Sequence, residues 1–390
     1  MISVEDALGR LFDLVAPMDA QPVPLAKAAG RVLIKDVVAL RDQPPFAASA
    51  MDGYALSASE AVPGATFHVI GEAAAGRGFD AEVGAGQAAR IFTGAPMPRG
   101  ADRVVIQEDV SRDGDTITLS DALDKGPHVR AAGADFRIGD HISAPLRLSA
   151  AHVALAAAMN VPVLSVARRP VVALISTGDE LVMPGEVPGP DQIVASNTFG
   201  LKALLEAEGA DVRLLPIARD TEDSLRLAFA LTKGADLIVT IGGASVGDHD
   251  LVGKVAADLG LDRAFWKIAM RPGKPLMAGK IGGVAMIGLP GNPVSAMVCG
   301  HVFLRPVIRA MQGLPAAALE TGVARLAAPV AANGPRTHFM RAKRDGDTIR
   351  AFESQDSALL SVLAQAGAFL IRPANAPAAQ TGDMVSYLKL

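Results

Sequence analysis

Five short apolar segments in the second half of the chain are rich in Val and Ile, and each runs into a loop of glycine and charged residues. They cover residues 171–175, 212–217, 237–241, 265–268 and 284–287. Such runs are typical of strands that are buried on both faces of a parallel sheet. In an open parallel sheet, ligands bind beyond the carboxyl ends of the strands. We therefore expect the five loops to converge on one site.

The 390 residues exceed what one hydrophobic core usually supports, so several domains are expected. Ser3 is expected to cap a first helix with an apolar stripe that begins at Val4. Helical patterns that Ser196-Asn197 and Thr221 can cap alternate with the five segments, which indicates βαβ units in a doubly wound α/β domain. Short alternating segments between Pro- and Gly-rich turns indicate β-rich domains elsewhere. The predicted domains are a discontinuous N-terminal domain of helical and extended structure (1–40 plus 141–168), an inserted β-rich domain (41–140), the α/β domain (169–312) and a C-terminal β domain resembling a barrel (313–390).

Composition and charge indicate which partners and which cellular compartment to expect. The net charge of -4 and the lack of a Lys/Arg cluster argue against a nucleic-acid partner. One cysteine, Cys299, allows no internal disulfide and fits a reducing cytoplasm. The stretch 148–167 is the most membrane-like, but His152, Asn160 and Pro162 interrupt it, and we interpret it as a buried helix followed by a strand. We expect a cytoplasmic protein that does not enter a membrane.

Two glycine loops are suited to an anion. Gly242-Gly243 and Gly291-Asn292 each follow a predicted strand, where glycine lets backbone N–H groups approach a phosphate closely. Neither loop has the spacing of the dinucleotide fingerprint or of the P-loop. The alternative is that both are tight turns where a helix packs on the sheet.

Five acidic residues gather at the same predicted sheet edge. Because carboxylates repel one another, such a group usually needs a cation, and an all-oxygen ligand set suits Mg²⁺. Two or three of the five are expected to reach the metal, and Asp220 and Asp248 can alternatively cap helices. The five are Asp179, Glu180, Asp220, Asp248 and Asp250.

Basic residues follow the next segment of the sheet. Lys267, Arg271 and Lys274 are expected to face the acidic group, as a phosphate or another oxyanion would require. The alternative is a solvated charged loop. Ser176 and Ser245 have no paired His in a recognisable nucleophile motif, and His249 is interpreted as a bystander. The chemistry is therefore expected to rest on charge positioning and a metal.

Several longer strings are spread along the chain. They are Ser-Ala-Met-Asp-Gly-Tyr-Ala from Ser49, Arg-Ile-Phe-Thr-Gly-Ala-Pro-Met-Pro from Arg90, Gly-Ala-Asp-Arg-Val-Val from Gly100, Ser-Thr-Gly-Asp-Glu-Leu from Ser176, Gly-Gly-Ala-Ser-Val-Gly-Asp from Gly242, Arg-Pro-Gly-Lys-Pro from Arg271 and Leu-Pro-Gly-Asn-Pro-Val-Ser from Leu289. Together they resemble one known family, the molybdopterin molybdenumtransferases of the MoeA type, which the gephyrin E domain also represents. The resemblance covers nearly the whole chain.

The resemblance implies a reaction, a cofactor and an assembly. Adenylylated molybdopterin and molybdate would be converted to molybdenum-molybdopterin and AMP with Mg²⁺, and the α/β domain would bind molybdopterin. The family forms homodimers in which the inserted domain of one subunit completes the cleft of the other. Molybdopterin adenylyltransferase and acceptor molybdoenzymes are implied as further partners. Two alternatives stay open: a non-catalytic molybdopterin carrier or scaffold, and a molybdopterin adenylyltransferase.

The resemblance also assigns roles to individual positions. Asp52, Thr93, Glu180, Asp220 and Asp250 correspond to catalytic positions, and Glu180, Asp220 and Asp250 also to metal ligands. Substrate-binding residues are expected at Asp135, Gly242, Gly243, Ser245, Asp248, Lys267, Arg271, Lys274, Pro290, Asn292, Pro293, Arg341 and Ser357.

The chain departs from the family at two of these places. The family's Gln-Gly-Ser reads Gln355-Asp356-Ser357, which puts a carboxylate beside the expected oxyanion and makes Ser361 a rival of Ser357. The family's Gly-Glu-Asp reads Gly133-Ala134-Asp135, which retains the Asp.

Overall fold

The computed structural model describes residues 1–243 and 251–390 of the chain. The described residues divide into two units. The first unit comprises Met1–Gln21, Gly30–Ile34 and Val166–Leu390, and the second unit comprises Pro22–Ala29 and Lys35–Ser165. The four predicted domain boundaries stay predictions.

The first helix, α1 (Val4–Asp13), begins where the sequence predicts. The hydroxyl oxygen of Ser3 accepts a 3.0 Å hydrogen bond from the backbone N–H of Asp6, which satisfies one donor of the first turn. One face of the helix packs into the α/β core of the first unit. The buried residues of this face are Val4, Ala7, Leu8 and Leu11.

Most of the secondary-structure elements that follow, up to residue 147, are short strands. They are β1 (Ala20–Pro24), β2 (Val32–Leu33), β3 (Val37–Val38), β4 (Ala48–Ser49), β5 (Gly53–Leu56), β6 (Thr66–Ala73), β7 (Gln87–Ile91), β8 (Arg103–Ile106), β9 (Val110–Asp113), β10 (Thr116–Leu119), β11 (Val129–Arg130), β12 (His141–Ile142) and β13 (Leu146–Arg147), with 3₁₀ turns at Leu25–Lys27, Ala58–Glu60 and Gln107–Asp109. In the second unit, six strands form one sheet in the order β8-β5-β7-β6-β10-β9. Alternate residues serve its two faces, since Tyr54 and Leu56 pack in one cluster and Ala55 in another. The predicted inserted β-rich fold is confirmed.

The stretch 148–167 folds as a helix, α2 (Ala150–Ala158), followed by a strand, β14 (Val163–Ala167). The helix begins with a capping box in which the side chains of Ser149 and His152 bond to each other's backbone N–H groups. The expectation that it is buried is wrong, because Ala156 is its one fully buried residue while Ala154 is exposed. Its Ala-rich surface carries too little apolar area to require burial.

The α/β part of the first unit contains a six-stranded sheet in the order β18-β15-β19-β23-β22-β20. Its elements and their short companions are β15 (Val171–Ser176), β16 (Leu181–Val182), β17 (Ile193–Val194), α3 (Asn197–Ala207), β18 (Asp211–Leu214), α4 (Glu222–Ala230), β19 (Leu237–Ile241), α5 (Leu251–Asp258), β20 (Asp262–Trp266), β21 (Met270–Arg271), β22 (Met277–Ile281), β23 (Val284–Leu289), α6 (Pro293–Cys299), a π-helical turn (Gly300–Leu304) and α7 (Arg305–Met311). All five predicted strands are present. The sequence did not indicate β22, which is antiparallel to both of its neighbours, β23 and β20.

Helices cover both faces of this sheet, which makes it doubly wound. Leu174 and Ile175 are successive residues of β15 that point to opposite faces. Leu174 belongs to a core cluster shared with α1, α3, α6 and α7, whereas Ile175 belongs to a cluster shared with α4 and α5. Because β20 runs in the same sense as the four parallel strands, its carboxyl end lies at the same sheet edge as theirs.

The C-terminal region is a closed barrel of five strands. Its elements are β24 (Thr321–Leu326), β25 (Thr337–Asp345), β26 (Thr348–Ala351), α8 (Leu360–Gln365), β27 (Ala368–Arg372) and β28 (Met384–Lys389). The order β25-β26-β24-β28-β27 closes through pairing of β27 with β25. The predicted mixed α/β fold with a barrel-like C-terminal domain is therefore confirmed.

One helix of the described residues, Pro293–Met311, is long and apolar enough to cross a membrane by length and composition. However, 78% of its apolar window is buried inside the protein. Its residues Val298, Phe303 and Val307 belong to the α/β core, which accounts for its apolar character.

Candidate functional site

A cleft opens at the carboxyl edge of the sheet in the first unit. It has a volume of about 470 Å³ and is formed by the loops after β15, β19 and β23, together with β16, β17 and the start of α3. The cleft collects several predicted site residues in one place. These are Glu180, Asp220, Gly242, Gly243, Pro290, Asn292 and Pro293.

Hydrogen bonds fix the loops that carry Glu180 and Asp220. The Nη1 atom of Arg219 donates to the carbonyl oxygens of Asp179 and Leu181, both at 3.1 Å. The backbone N–H of Asp220 donates to Asp179 Oδ1, also at 3.1 Å. Asp179 thus holds the backbone of its neighbouring loop, and Glu180 and Asp220 are the described carboxylates that line the cleft.

Gly178 allows Glu180 to fold back over the loop. Gly178 has a φ of +144°, and a Cβ at this position would lie 2.3 Å from Glu180 Oε2. A side chain here would force the carboxylate to move. The Gly-Asp-Glu order therefore determines where Glu180 can point.

The structure describes two of the three expected metal ligands, Glu180 and Asp220. Within residues 1–243 and 251–390, no group of three or more His, Cys, Asp and Glu side chains is placed to hold a metal ion. Asp250, Asp248, Ser245 and His249 lie outside the described residues. Two oxygen-donor side chains, Glu180 and Asp220, remain in one cleft, and this donor set fits Mg²⁺, which binds through one or two carboxylates together with water and phosphate.

The two glycines after β19 serve close packing of loops. Gly242 has a φ of +94°, and a Cβ there would lie 2.8 Å from the carbonyl oxygen of Thr177. Its backbone N–H donates to the carbonyl oxygen of Leu289 at 3.1 Å, so this N–H is already used within the protein. The packing role that the sequence left open therefore applies to Gly242, although both Gly242 and Gly243 line the cleft.

The last loop of the cleft is tied to the start of α3. The side-chain Nδ2 of Asn197 donates to the carbonyl oxygen of Gly291 at 2.7 Å. The sequence predicted that Ser196 and Asn197 cap this helix, but Ser196 makes no side-chain capping bond, and Asn197 connects two walls of the cleft instead. Asn292 is exposed and likewise makes no side-chain capping bond to α6.

An apolar wall of the cleft was not predicted. Leu181, Ile193 and Val194 belong to the paired two-residue strands β16 and β17 and line the cavity. Ile193 is 58% exposed and Val194 is 42% exposed, so this apolar surface is open to solvent. Strands this short leave no periodicity in the sequence, so no sequence signal marked the wall.

The predicted basic residues lie outside the lining of this cavity. From their segment, Pro275 lines the cleft, whereas Arg271 and Lys274 are exposed. Lys267 has a left-handed backbone with a φ of 70°, and its Nζ lies 4.5 Å from the centre of the Trp266 ring. The ammonium group is therefore held by a cation–π contact, at a backbone conformation that is uncommon for a residue other than glycine.

Arg271 lies on a strand that is paired with the barrel, not in the lining of the cleft. β21 pairs with β25, which sets Arg271 opposite His338. Burial first, and then the nearby charges of Arg271, Arg341 and Arg336, lower the pKa of His338 to about 4. His338 is therefore neutral in a region of several cations.

Arg341 is buried at 1% exposure in the first unit. Its guanidinium is held by the loop that contains Ser357: Nε and Nη2 donate to Gln355 Oε1, both at 3.2 Å, and Nη1 donates to the carbonyl oxygen of Asp356 at 2.6 Å. The backbone carbonyl oxygen of Ser357 accepts a 3.0 Å bond from the backbone N–H of Val294, which is next to the cleft residue Pro293. The rival Ser361 is exposed on α8.

The remaining predicted residues lie in the second unit. The backbone N–H and the hydroxyl of Thr93 both donate to Asp52 Oδ1 at 2.7 Å. Arg90 lies beside this pair, with its guanidinium carbon 5.1 Å from the Tyr54 ring centre and 4.8 Å from that of Phe92. Arg90 was not predicted as a site residue, although the string that contains Thr93 begins with it.

Asp135 lines a second cavity, of about 480 Å³, within the second unit. Gly94, which follows Thr93, and the basic residues Arg41 and Arg130 line the same cavity. The second unit therefore brings Asp135 near the Thr93 turn.

Family models match three parts of the chain. They are the MoeA N-terminal region (domain I and II) over residues 2–160, a probable molybdopterin binding domain over residues 173–310, and the MoeA C-terminal region (domain IV) over residues 323–390. The central match contains the whole cleft.

Curated relatives and solved structures agree with these matches. A molybdopterin molybdenumtransferase of Nostoc sp. is 38% identical over 328 residues, which is 80% of this chain and 75% of the relative. One from Haemophilus influenzae is 36% identical over 317 residues, covering 80% of this chain and 78% of the relative. The crystal structure of a molybdopterin biosynthesis MoeA protein from Pyrococcus horikoshii superposes with a TM-score of 0.86 at 26% identity and covers 100% of both chains.

Proposed function

The chain belongs to the MoeA family, and on that premise we propose that it is a molybdenumtransferase that acts in molybdenum cofactor biosynthesis. Its substrates are adenylylated molybdopterin and molybdate, and its products are molybdenum-molybdopterin and AMP. The observation that carries the proposal is the cleft in which Glu180 and Asp220 face the glycine loops after β19 and β23. Cleavage of a phosphoanhydride is assisted by a metal ion, which carboxylates of this kind can hold. It is also assisted by backbone that approaches the phosphate closely.

Mg²⁺ is the proposed cofactor. Glu180 and Asp220 would hold it, and Asp250 is a third predicted ligand. When bound, the ion would neutralise phosphate oxygens at the bond that releases AMP. The chain itself fixes the two carboxylates, because Arg219 and Asp179 hold their loops in place.

The substrate is positioned by the two kinds of cleft wall. Gly243 and Gly291 line the cleft with backbone that carries no side chain, which leaves room for the charged phosphates. Leu181, Ile193 and Val194 offer an apolar surface for a flat ring and exclude water from one side of the cleft. The exposed side-chain amide of Asn292 is free of a capping bond and can donate to a ligand.

We also propose a homodimer in which residues 41–140 of one subunit complete the cleft of the other. The Asp52–Thr93 pair and Asp135 would then act on the partner's substrate. Mixing the impaired Asp52→Asn and Asp220→Asn proteins tests this assembly, since one of the two clefts in a mixed dimer has both native residues. Recovery of activity on mixing supports the dimer, and continued inactivity in verified mixed dimers contradicts it. Cytoplasmic location, the adenylyltransferase and the acceptor molybdoenzymes stay predictions.

The decisive experiment measures AMP release from purified adenylylated molybdopterin with Mg²⁺, with and without micromolar molybdate. The transferase is supported by molybdate-dependent release with molybdenum retained on the pterin. Binding of the pterin without any AMP release would contradict it and would favour a carrier. The Asp220→Asn protein serves as the matched control for background hydrolysis.

A further inference from the structure

Arg341 is a buried cation without an acidic partner in the part of the chain that the structure describes. A buried charge is costly unless it is paired, and most buried guanidinium groups pair with carboxylates. Here the partner of Nε and Nη2 is the neutral amide of Gln355, and Nη1 donates to a backbone carbonyl oxygen. The positive charge is oriented but not neutralised.

Gln355 is well suited to this task because it bonds in both directions. Its Oε1 accepts from the backbone N–H of Arg341 at 2.9 Å in addition to the two guanidinium bonds. Its Nε2 donates to the carbonyl oxygens of Arg341 and Phe352, at 3.0 and 2.8 Å. A glutamate side chain could accept the bonds from Arg341, but it could not donate to the two carbonyl oxygens. Its negative charge would also cancel the positive charge of Arg341.

Asp356 stands where the family has glycine, and its negative charge acts on the guanidinium of Arg341. Its Oδ1 accepts a 2.8 Å bond from the backbone N–H of Ala358, so the exposed side chain is turned along its own loop. Burial lowers the pKa of Arg341, and the charge of Asp356 acts in the opposite direction. Asp356 therefore offsets part of the charge without forming an ion pair.

We propose that Gln355 is a positioning residue that holds Arg341 as an uncompensated charge beneath the Ser357 loop. An oxyanion at this loop then meets an oriented positive field, and Asp356 sets its strength. The inference rests on the proposed function, in which molybdate is a substrate, and it takes the Ser357 loop, which the family resemblance assigns to substrate binding, as the molybdate subsite. It explains why an amide occupies position 355 and what the departure at position 356 does.

The test is direct binding of sodium molybdate to the full chain by calorimetry at low salt, without pterin. Asp356→Asn retains the acceptor for Ala358, so the loop is preserved while a negative charge is removed. We expect its molybdate Kd to fall by about three- to tenfold, the effect of one charge several ångströms away at the effective dielectric of a protein surface. The matched control is Asp347→Asn, whose native side chain is 82% exposed elsewhere on the barrel and which should leave Kd unchanged.

Gln355→Glu changes the charge in the opposite direction. Its molybdate Kd should rise by about tenfold or more, because the glutamate pairs with Arg341. If that variant unfolds in a thermal melt, Asp356→Asn alone decides. Unchanged or weaker binding by Asp356→Asn, native affinity in a folded Gln355→Glu protein, or absence of molybdate binding by the native chain would each overturn the inference. AMP release by the native chain is a separate readout, so failure of the proposed function is recognised independently.

Discussion

Asp52 and Thr93 are joined by two hydrogen bonds to a single carboxylate oxygen. The backbone N–H and the hydroxyl of Thr93 both reach Asp52 Oδ1 at 2.7 Å. The backbone bond and then the hydroxyl bond hold the pKa of Asp52 below its ordinary value, and Arg90 adds a smaller effect in the same direction. The pair therefore presents an ionised carboxylate at neutral pH.

Replacing Thr93 with Val should raise the pKa of Asp52 part of the way towards its ordinary value. The hydroxyl bond is lost while the backbone bond remains. Because the folded pKa is depressed, the two bonds favour the fold above the unfolded pKa, and this contribution is lost as the pH falls through the folded pKa. Carboxyl-carbon NMR titration measures the change, with Thr116→Val on a distant strand as the control. An Asp52 titration that does not move would contradict the role of the hydroxyl.

Asp220→Asn should reduce Mg²⁺-dependent AMP release by about tenfold or more, since even indirect partners of a bound metal change its affinity by that factor. The side chain lies on a loop and packs little, so the melting temperature should hardly change. Asp223→Asn is the matched control, because Asp223 is exposed three residues further on and does not line the cleft. Native turnover at limiting Mg²⁺ in the Asp220→Asn protein would remove Asp220 from the metal site.

Long regular segments of this fold could be predicted from the sequence. The strands from Val171 and Leu237 are continuous apolar runs because both faces of the sheet are covered. The capped start of α1 could be predicted because Ser3 and the apolar stripe are adjacent in sequence. The antiparallel β22 was missed since its sequence, Met-Ala-Gly-Lys-Ile, has little strand signal.

The candidate site was predictable where its residues follow strands. Glu180, Asp220 and Asn292 share a cleft because parallel strands end at one edge. Long-range partners were not predictable: neither the Asn197–Gly291 bond nor the burial of Arg341 under Gln355 leaves a local pattern in the sequence. The expected approach of Arg271 to the carboxylates rested on sequence order, whereas β21 pairs with the barrel strand β25.

Asn197→Ala should lower stability by about 1 kcal/mol, because it leaves the Gly291 carbonyl oxygen without this partner. For a unit of this size the melting temperature should fall by about 2–4 °C. The loop that carries Asn292 is also released, so we expect the KM for the pterin substrate to rise. Asn292→Ala is the stability control, since Asn292 makes no side-chain capping bond. Equal melting temperatures for both variants would show that the Asn197 bond does not hold the cleft.

His301 should make the fold less stable as the pH is lowered. Burial, and then the charge of Arg305, lower the pKa of His301 to about 4. An unfolded histidine titrates near 6.5, so between about pH 6.5 and 4 the unfolded chain binds a proton that the folded chain does not. The free energy of unfolding should therefore fall across this window, by up to about 3 kcal/mol from this residue.

Chemical denaturation at several pH values measures this dependence. His301→Asn, which retains a neutral acceptor for Arg305, should be less stable at neutral pH but should lose less stability on acidification. His338, whose pKa is also lowered to about 4, leaves part of the slope in place. The exposed His141→Asn variant is the control. If the slopes of the native and His301→Asn proteins coincide, His301 is not kept neutral by the fold.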